Sequence, residues 1–342
     1  MENKIGDFFS CCSHIDFGPV DLSGDENEFY KGFNHEIISL CDSLPESIQL
    51  DALFFFKKYA GLTTGRNFFK NYYVPSWSII YWLIRSDSEN GKLTKEDIKN
   101  SRTAHAMALK LHSLDDHMND KEIPATHLTL LLRSQSWMIM MNAFEELADG
   151  VGGGHEIVRG FINDYYSAIC DPEEIESLDN FCSRFRKEMA TWLIVPVLMT
   201  KRITNDQNFT EAIQMAYGSF GIAWKLLDDI MDIKMDMKNS MPSSVYICLP
   251  ENIKKLWNKN ATTGSNHDSC HCDAILNCIK QQSVMEKIQQ RISMELKSAA
   301  AIFENHRMGG LAKELRSLSR PFSGQNFLHE SKHQRRIFPQ KI

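Results

Sequence analysis

The sequence predicts an all-α protein, and three observations support this fold class. Apolar residues recur at intervals of three and four over long windows, which is the spacing of one face of a helix. Alternating runs of β-branched residues between turn residues, which indicate strands, hardly occur. Four prolines stand at predicted helix starts, where the missing N–H would have no intrahelical partner: Pro45, Pro124, Pro172 and Pro250.

The periodicity predicts helices along most of the chain. Pro196 falls inside one of them and is expected to kink it, because proline removes a hydrogen bond and clashes with the preceding turn. No linker separates two apolar cores, so we expect a flexible segment over residues 1–24, a single α-helical domain over 25–322 and a basic tail over 323–342. The predicted helices span residues 27–43, 46–60, 64–86, 95–119, 125–149, 155–169, 173–203, 207–238, 250–259, 273–305 and 308–319.

Composition limits the classes of function. The 342 residues are 43% hydrophobic, which allows a large core, and the formal net charge of −6 argues against a nucleic-acid-binding protein, which would present a basic face. Nine cysteines without the spacing of a disulfide framework indicate reduced thiols and a cytoplasmic protein. The strongest apolar run, Leu193 to Met199, is far too short to span a membrane.

Two aspartate-rich segments, more than one hundred residues apart, carry most of the functional information. The first reads Asp115-Asp116-His117-Met118-Asn119-Asp120, and the second reads Asp228-Asp229-Ile230-Met231-Asp232. Residues i and i+4 of a helix share a face. Asp115 with Asn119, and Asp228 with Asp232, are therefore predicted to point pairs of oxygens in the same direction.

These carboxylates favour a metal site. They repel one another unless cations neutralise them, and Mg²⁺ prefers oxygen ligands while sharing its shell with substrate phosphates. One acidic helical turn is more often a solvated surface, but both segments end apolar stretches, where the helix dipole disfavours negative charge. We therefore predict catalytic roles for Asp115 and Asp228. The predicted Mg²⁺ ligands are Asp115, Asp116, Asn119, Asp120, Asp228, Asp229 and Asp232.

The stretch from Gly218 to Asp232 resembles the trans-isoprenyl diphosphate synthases, in which a glycine-containing helix ends in Phe-Gln-x-x-Asp-Asp-x-x-Asp. The stretch from Leu114 to Asp120 is similar to the first Asp-rich motif of that family in its longer spelling, and the order and separation of the motifs also match. The resemblance covers about residues 55–250. It implies a class I terpenoid synthase helical bundle around a deep apolar cavity, with the two motifs opposed at its mouth.

The resemblance also implies a reaction and a cofactor. In that family three Mg²⁺ ions bridge the carboxylates and a prenyl diphosphate. The metals withdraw charge from the leaving group, and the C–O bond breaks to give an allylic cation. The expected small-molecule partner is therefore an allylic prenyl diphosphate, whereas the oligomeric state, a homodimer included, is left open.

The sequence departs from the chain-elongating members of the family. Those members hold isopentenyl diphosphate through a Gly-Lys-x-x-Arg-Pro segment and a pair of arginines after the first motif. Here the corresponding stretches read Gly65-Arg66-Asn67-Phe68-Phe69-Lys70 and Lys121-Glu122-Ile123-Pro124. A second diphosphate needs several fixed cations, so this second site is predicted to be lost.

Several basic residues are candidate diphosphate ligands. Lys225 stands where the family has glutamine, and it either meets a phosphate or pairs with a neighbouring acid. Arg133, in an apolar helix, either grips diphosphate or neutralises a buried acid, and the second role is the commoner one. The predicted diphosphate ligands are Arg66, Lys187, Lys225 and Lys238.

Other residues are candidates for the cavity wall and its closure. Ala108 and Leu111 share a helical face with Asp115, which suits a cavity wall and equally suits ordinary helix packing. Trp77, Phe220 and Trp224 are predicted to stabilise a carbocation through their ring quadrupoles, although each ring alone is more typical of a core. The stretch from residue 258 to 269 and the basic tail are candidate lids.

Three functions remain in competition at this stage. The preferred one is an Mg²⁺-dependent class I terpene synthase that ionises an allylic prenyl diphosphate, after which its own chain or water quenches the cation. The alternative is a prenyltransferase that uses isopentenyl diphosphate or a different acceptor. A non-catalytic regulatory family member is disfavoured, because a structural role would not require acids placed against the helix dipole.

Overall fold

The computed structural model describes residues 8–88, 91–170, 175–259 and 269–323, and these residues contain helices and no strand. The expected all-α fold class is therefore confirmed. The helices are α1 (Gly24–Asp42), α2 (Glu46–Tyr59), α3 (Pro75–Ser86), α4 (Lys95–Asn119), α5 (His127–Asp149), α6 (Gly154–Cys170), α7 (Leu178–Glu188), α8 (Ala190–Thr204), α9 (Gln207–Met231), α10 (Ile233–Asn239), α11 (Ser244–Ile247), α12 (Glu251–Lys259), α13 (Ser269–Gln281), α14 (Val284–Asn305) and α15 (Gly309–Ser319).

Four predicted helices were too long. Residues 64–74, the first part of the helix predicted over 64–86, form turns, because Gly65 has a φ of +82° and Pro75 begins α3. The helix predicted over 173–203 divides at Met189, and the one over 207–238 divides at Asp232. The helix predicted over 273–305 divides at Ser283, whose φ of +50° lies in the left-handed region.

Both aspartate-rich segments end long helices whose starts are well defined. Thr94 and Asp97 form a reciprocal capping box at the start of α4, and the side chain of Asp206 caps the start of α9. Each helix then runs for 25 residues. Helix α4 packs along α5, α9 packs along α14, and α8 packs against both α4 and α9. The two acidic ends are thus held on either side of α8.

Helix α9 lies close to its neighbours because it carries glycine where they pack. A Cβ atom at Gly221 would lie 2.3 Å from the Sδ atom of Met189, and one at Gly218 would lie 3.2 Å from Nε of Arg186. Both contacting residues lie at the junction of α7 and α8. The glycines therefore bring this junction against the helix that carries the second acidic segment.

The N-terminal segment differs from the expectation of a flexible stretch over residues 1–24. From residue 8 onward it packs against the bundle, and Ile15 and Phe17 are buried. Gly18 N–H donates to the Leu318 carbonyl, and a Cβ atom at Gly18 would lie 2.0 Å from the Ser317 oxygen. Apolar side chains and this close backbone contact hold the segment against the helical bundle.

Some predictions fall outside the described part of the chain. These are the basic tail from residue 324 onward and residues 260–268 of the predicted lid. Across the described ranges no helix is long and apolar enough to cross a membrane.

A buried carboxyl pair joins α1 and α15. Ser78 Oγ and Trp82 Nε1 each donate to the Glu314 carboxylate at 2.5 Å, and Glu26 lies nearby. Burial raises the pKa of Glu314 from 4.5 to about 8; the two donors lower the pKa, whereas Glu26 raises it further. The folded protein therefore holds Glu314 protonated well above the pH at which an exposed glutamate ionises.

This pair predicts a pH dependence of stability. Because the folded-state pKa is raised, the stabilisation is complete below about pH 4.5 and is lost as pH rises through about 8. Glu314→Gln removes the titrating proton, so the advantage of wild type over the variant should shrink from pH 5 to pH 9. Thermal unfolding of both proteins across this range measures the effect. Melting curves that shift in parallel would show that Glu314 does not titrate there.

Candidate active site

Asp115 is held by α5 and α6 rather than directed toward the second acidic segment. Arg133 Nε and Nη2 donate to its two carboxylate oxygens at 2.6 and 2.9 Å, and Tyr165 Oη donates to Oδ2 at 3.2 Å. Both carboxylate oxygens are thereby engaged. Of the two roles left open for Arg133, the structure shows the pairing with an acid. The expected pairing of Asp115 with Asn119, which is exposed, is wrong.

The orientation of Asp115 determines which face of α4 points inward. Leu111 and Ala108 precede Asp115 by one and two turns and share its face, which packs on α5. Both side chains are buried, and their place in the cavity wall stays a prediction. The inward face instead carries a stripe with spacings of four, three, four and four residues: His105, Leu109, His112, Asp116 and Asp120.

In the second segment, Asp229 is buried and fully engaged. Its Oδ1 atom lies 3.1 Å from Lys225 Nζ, and its Oδ2 atom accepts a hydrogen bond of 2.7 Å from the Ser244 N–H. Its side chain is 2% exposed, and burial raises its pKa although Lys225 opposes this shift. Of the two roles left open for Lys225, pairing with an acid is present. Asp229 therefore positions Lys225 rather than facing a ligand.

Lys225 connects the two acidic segments electrostatically. Burial lowers its pKa, but the Asp229, Asp228 and Asp116 carboxylates outweigh that effect and raise the pKa well above its ordinary value. The same ammonium group lowers the pKa of Asp120, which burial and Asp116 raise to about 6. Asp116 in α4, Asp120 directly after α4 and the acids at the end of α9 therefore all interact electrostatically with Lys225.

Asp236 is a further acid at this position that the sequence analysis missed. Burial, together with Asp229, Asp232 and Asp228, raises its pKa to about 8, while Lys225 opposes the shift. Asp228, Asp232 and Asp236 succeed one another at intervals of four, so the signal was present in the sequence. We call the space bordered by the following residues the mouth: Asp116, Asp120, Lys225, Asp228, Asp232 and Asp236.

Aromatic side chains lie one helical turn inward from the mouth. His112 precedes Asp116 by four residues, and Trp224 precedes Asp228 by four. The Trp192 ring lies between them, with ring centroids 4.7 Å from His112 and 5.5 Å from Trp224. The group, called the aromatic cluster below, comprises Tyr72, Tyr73, His112, Phe185, Trp192, Phe220 and Trp224.

Of the three aromatic residues predicted to line the cavity, two belong to the aromatic cluster and one does not. Phe220 and Trp224 belong to the aromatic cluster, with ring centroids 6.0 Å apart. Trp77 instead packs against α1, where its ring lies 4.7 Å from Tyr30 and 6.2 Å from Phe29. The depth of an apolar cavity beneath the mouth stays a prediction.

Three of the four predicted diphosphate ligands are on the surface. Arg66 lies in the turns before α3, Lys187 on the solvent side of α7 and Lys238 in the last turn of α10, and all are exposed. On α7 the inward positions are taken by Phe185, which contacts His112, and by Glu188. Of the predicted cations, Lys225 alone lies in the mouth as described above.

Lys110 is a second feature that the sequence analysis missed. It is 1% exposed, and its Nζ atom lies 4.9–5.8 Å from the centroids of four aromatic rings: Phe56, Tyr59, Phe69 and Tyr72. Burial lowers its pKa to about 7. Its place within the apolar run from Ala104 to Leu114 was the available signal. Ring faces stabilise this cation, and no carboxylate in the described part of the chain forms an ion pair with it.

The Asp115–Arg133 pair predicts coupled effects on stability. Arg133→Gln leaves the carboxylate with only Tyr165, so we expect the free energy of unfolding to fall by about 2 kcal/mol, less than for a fully buried pair because Arg133 is 35% exposed. In an Asp115→Asn background the same substitution should cost much less, because no charge is left unpaired. Urea unfolding of the four proteins measures this coupling. Additive losses would contradict the pairing.

Comparisons with known proteins identify solved structures whose fold is similar to that of this chain. No protein-family model matches the chain, and no curated protein matches it in sequence. A polyprenyl synthase from Caulobacter crescentus, solved with calcium and isoprenyl diphosphate, is similar with a TM-score of 0.63 at 12% identity, over 88% of this chain and 99% of that one.

Two further solved structures are similar over nearly their whole length. A geranylgeranyl pyrophosphate synthase from Corynebacterium glutamicum, complexed with isoprenyl diphosphate and magnesium, has a TM-score of 0.59 at 13% identity, covering 88% of this chain and all of that one. A decaprenyl diphosphate synthase from Rhodobacter capsulatus has a TM-score of 0.58 at 10% identity, covering 86% and 98%. The chain therefore has the same all-α fold as these three solved synthases.

Proposed function

We propose that this protein ionises an allylic prenyl diphosphate in a reaction that depends on divalent metal ions and transfers the prenyl group to an acceptor. The observation that carries the proposal is the mouth. There, acids from the ends of α4 and α9 lie close enough to Lys225 to raise its pKa. Similarity to solved prenyl diphosphate synthases supports prenyl transfer over the terpene synthase preferred from sequence alone.

The residues of the mouth fit divalent cations. Carboxylate oxygens are the donors that Mg²⁺ prefers, and the raised pKa values of Asp120 and Asp236 reflect burial and mutual repulsion that a cation relieves. In the described ranges no three acidic, imidazole or thiol side chains enclose a metal by themselves. Mg²⁺ is commonly bound by one or two carboxylates and completes its shell with water and phosphate oxygens. The proposed ligands, for as many as three ions, are Asp116, Asp120, Asp228, Asp232 and Asp236.

The side chains of the mouth and those of the aromatic cluster have different roles in the proposed ionisation. Bound divalent cations would withdraw charge from the diphosphate as the C–O bond breaks. Lys225, held in position by Asp229, offers its ammonium group to a phosphate oxygen between the two acidic segments. The aromatic cluster presents ring faces to the allylic cation and shields it from water.

The acceptor is proposed to lack a diphosphate of its own. Lys70, in the segment that would hold isopentenyl diphosphate, donates instead to the Gly61 carbonyl at 2.7 Å. Lys110, on the adjoining face of α4, is enclosed by aromatic rings. Arg66 and Lys121 are exposed. The fixed cations that a second diphosphate needs are therefore not assembled by these residues.

A terpene synthase is the second candidate function. It is favoured by the aromatic cluster directly inward of the mouth, because rings around a cation also suit a reaction in which the prenyl chain quenches its own charge. Both candidates share the ionisation step. They differ in the fate of the cation, which a product assay resolves.

The metal ligands predict a contrast between adjacent aspartates. Asp116→Asn and Asp228→Asn should each lower turnover by about 10²–10³-fold, because each removes an anchor for the charge that stabilises the leaving group. Asp115→Asn is the matched control and should lower turnover by less than about tenfold, because Asp115 is engaged by Arg133. Diphosphate release at saturating Mg²⁺ measures all three. Activity after EDTA treatment, or equal losses at residues 115 and 116, would contradict the assignment.

The acceptor is tested by incubating the protein and Mg²⁺ with prenyl diphosphates of ten, fifteen and twenty carbons. Each is supplied alone, with isopentenyl diphosphate, or with an arene such as a phenol or an indole. We expect diphosphate release with at least one substrate and no consumption of isopentenyl diphosphate, because its cations are engaged elsewhere. Hydrocarbons formed without an acceptor would establish the terpene synthase. A longer prenyl diphosphate as the main product would refute the proposal for the acceptor.

A further inference from the structure

Among the seven rings of the aromatic cluster, His112 is the one whose ring nitrogen offers a basic lone pair. Tyr72 Oη is 2.6 Å from Ser113 Oγ, and Tyr73 Oη donates to Asp16 at 2.6 Å. Burial raises the pKa of both phenols, which therefore stay protonated. The Trp192 indole is a donor only. The imidazole of His112 remains, and within the described residues no hydrogen bond engages its ring nitrogens.

The position of His112 relative to the mouth is fixed by three elements. It lies one turn inward from Asp116 on α4, and its ring is edge-on to Trp192 of α8 at 4.7 Å and to Phe185 of α7 at 5.9 Å between centroids. Trp192 in turn contacts Trp224 of α9. The imidazole is therefore part of the wall that a prenyl chain would meet directly after its diphosphate enters the mouth.

The proposed function creates a need for such a group. Prenyl transfer to an alkene or an arene, and conversion of an allylic cation to a hydrocarbon, all end with the loss of a proton from carbon. We propose that His112 accepts this proton and is a catalytic residue of the step that follows ionisation. This inference rests on the proposed function. It holds whether the prenyl cation is transferred to an acceptor or is converted to a hydrocarbon.

The step balances without another reactant. The C–H bond on the carbon next to the cationic centre breaks, and its electron pair becomes a C=C bond or restores an arene. The proton forms an N–H bond with the imidazole lone pair, so the positive charge moves from carbon to His112. The imidazolium then returns the proton to the released diphosphate or to water when the product leaves.

Charged groups around His112 come from three packed elements. Asp116 and Asp115 on α4 and Glu188 on α7 favour the protonated ring, whereas Lys225 on α9 opposes it. Burial is the largest influence and lowers the pKa of His112 below its ordinary value, so the ring is neutral before the reaction. The nearby carboxylates then stabilise the imidazolium once it forms.

Two other groups compete for the same proton, and the experiment separates them from His112. They are the released diphosphate and the carboxylates of the mouth. His112→Phe keeps a ring against Trp192 and Phe185 but has no lone pair. His112→Ala leaves space for added imidazole. His306→Phe is the matched control, because His306 stacks on Phe209 at the end of α14, in contact with neither the mouth nor the cluster.

For each protein we would measure diphosphate release and the fraction of product formed by proton loss rather than by water capture. In His112→Phe we expect diphosphate release within about threefold of wild type, while the proton-loss fraction falls at least about tenfold in favour of alcohols. Imidazole should restore that fraction in His112→Ala, and His306→Phe should match wild type.

Each other result counts against the inference. Normal diphosphate release with unchanged products in His112→Phe would assign the proton to diphosphate or to a carboxylate and overturn this inference alone. Loss of diphosphate release would show that His112 acts in ionisation or folding, and imidazole would then fail to restore the product ratio. If wild type releases no diphosphate from any allylic substrate, the proposed function itself fails.

Discussion

Repulsion among carboxylates at the ends of α4 and α9 is the constraint on which the site depends. The folded chain offsets part of it with Lys225, whose Nζ atom lies 3.1 Å from Asp229. Because Asp229 is buried and also accepts from the Ser244 N–H, the ammonium group has little freedom to leave. Asp120 and Asp236 keep raised pKa values, which burial and neighbouring carboxylates cause. One fixed cation offsets part of this repulsion, and the proposed divalent cations would relieve the rest.

The second constraint is the rotation of α4 about its own axis, which the Asp115–Arg133 pair fixes. Adjacent helical residues are separated by about 100° around the axis, so Asp115 and Asp116 cannot face the same partner. With Asp115 held by α5 and α6, Asp116 is turned inward together with His112 and Asp120. An acid that sequence alone assigned to the metal site is thus the residue that orients its neighbour.

The fold class, both acidic segments and most helices were predictable because they depend on local pattern. Pro45 and Pro250, predicted at helix starts, stand directly before α2 and α12. The inward face of α4 was not predictable. The sequence of two consecutive aspartates does not show which of them pairs with Arg133 on another helix. Trp77 failed for the same reason: its partners Phe29 and Tyr30 lie on α1, remote in sequence. Asp236 was predictable and was missed, since its spacing from Asp232 repeats that from Asp228.

Lys110 and Lys70, near α2 and residues 65–74, have their ammonium groups engaged within the protein. The ammonium of Lys110 is surrounded by rings and has lost its hydration, and that of Lys70 is committed to a backbone carbonyl. A phosphate approaching Lys110 would have to displace aromatic side chains that also pack the core. Tyr72 belongs both to this cage and to the aromatic cluster, where its ring contacts Trp224. The wall that encloses Lys110 is therefore continuous with the wall proposed to stabilise the allylic cation.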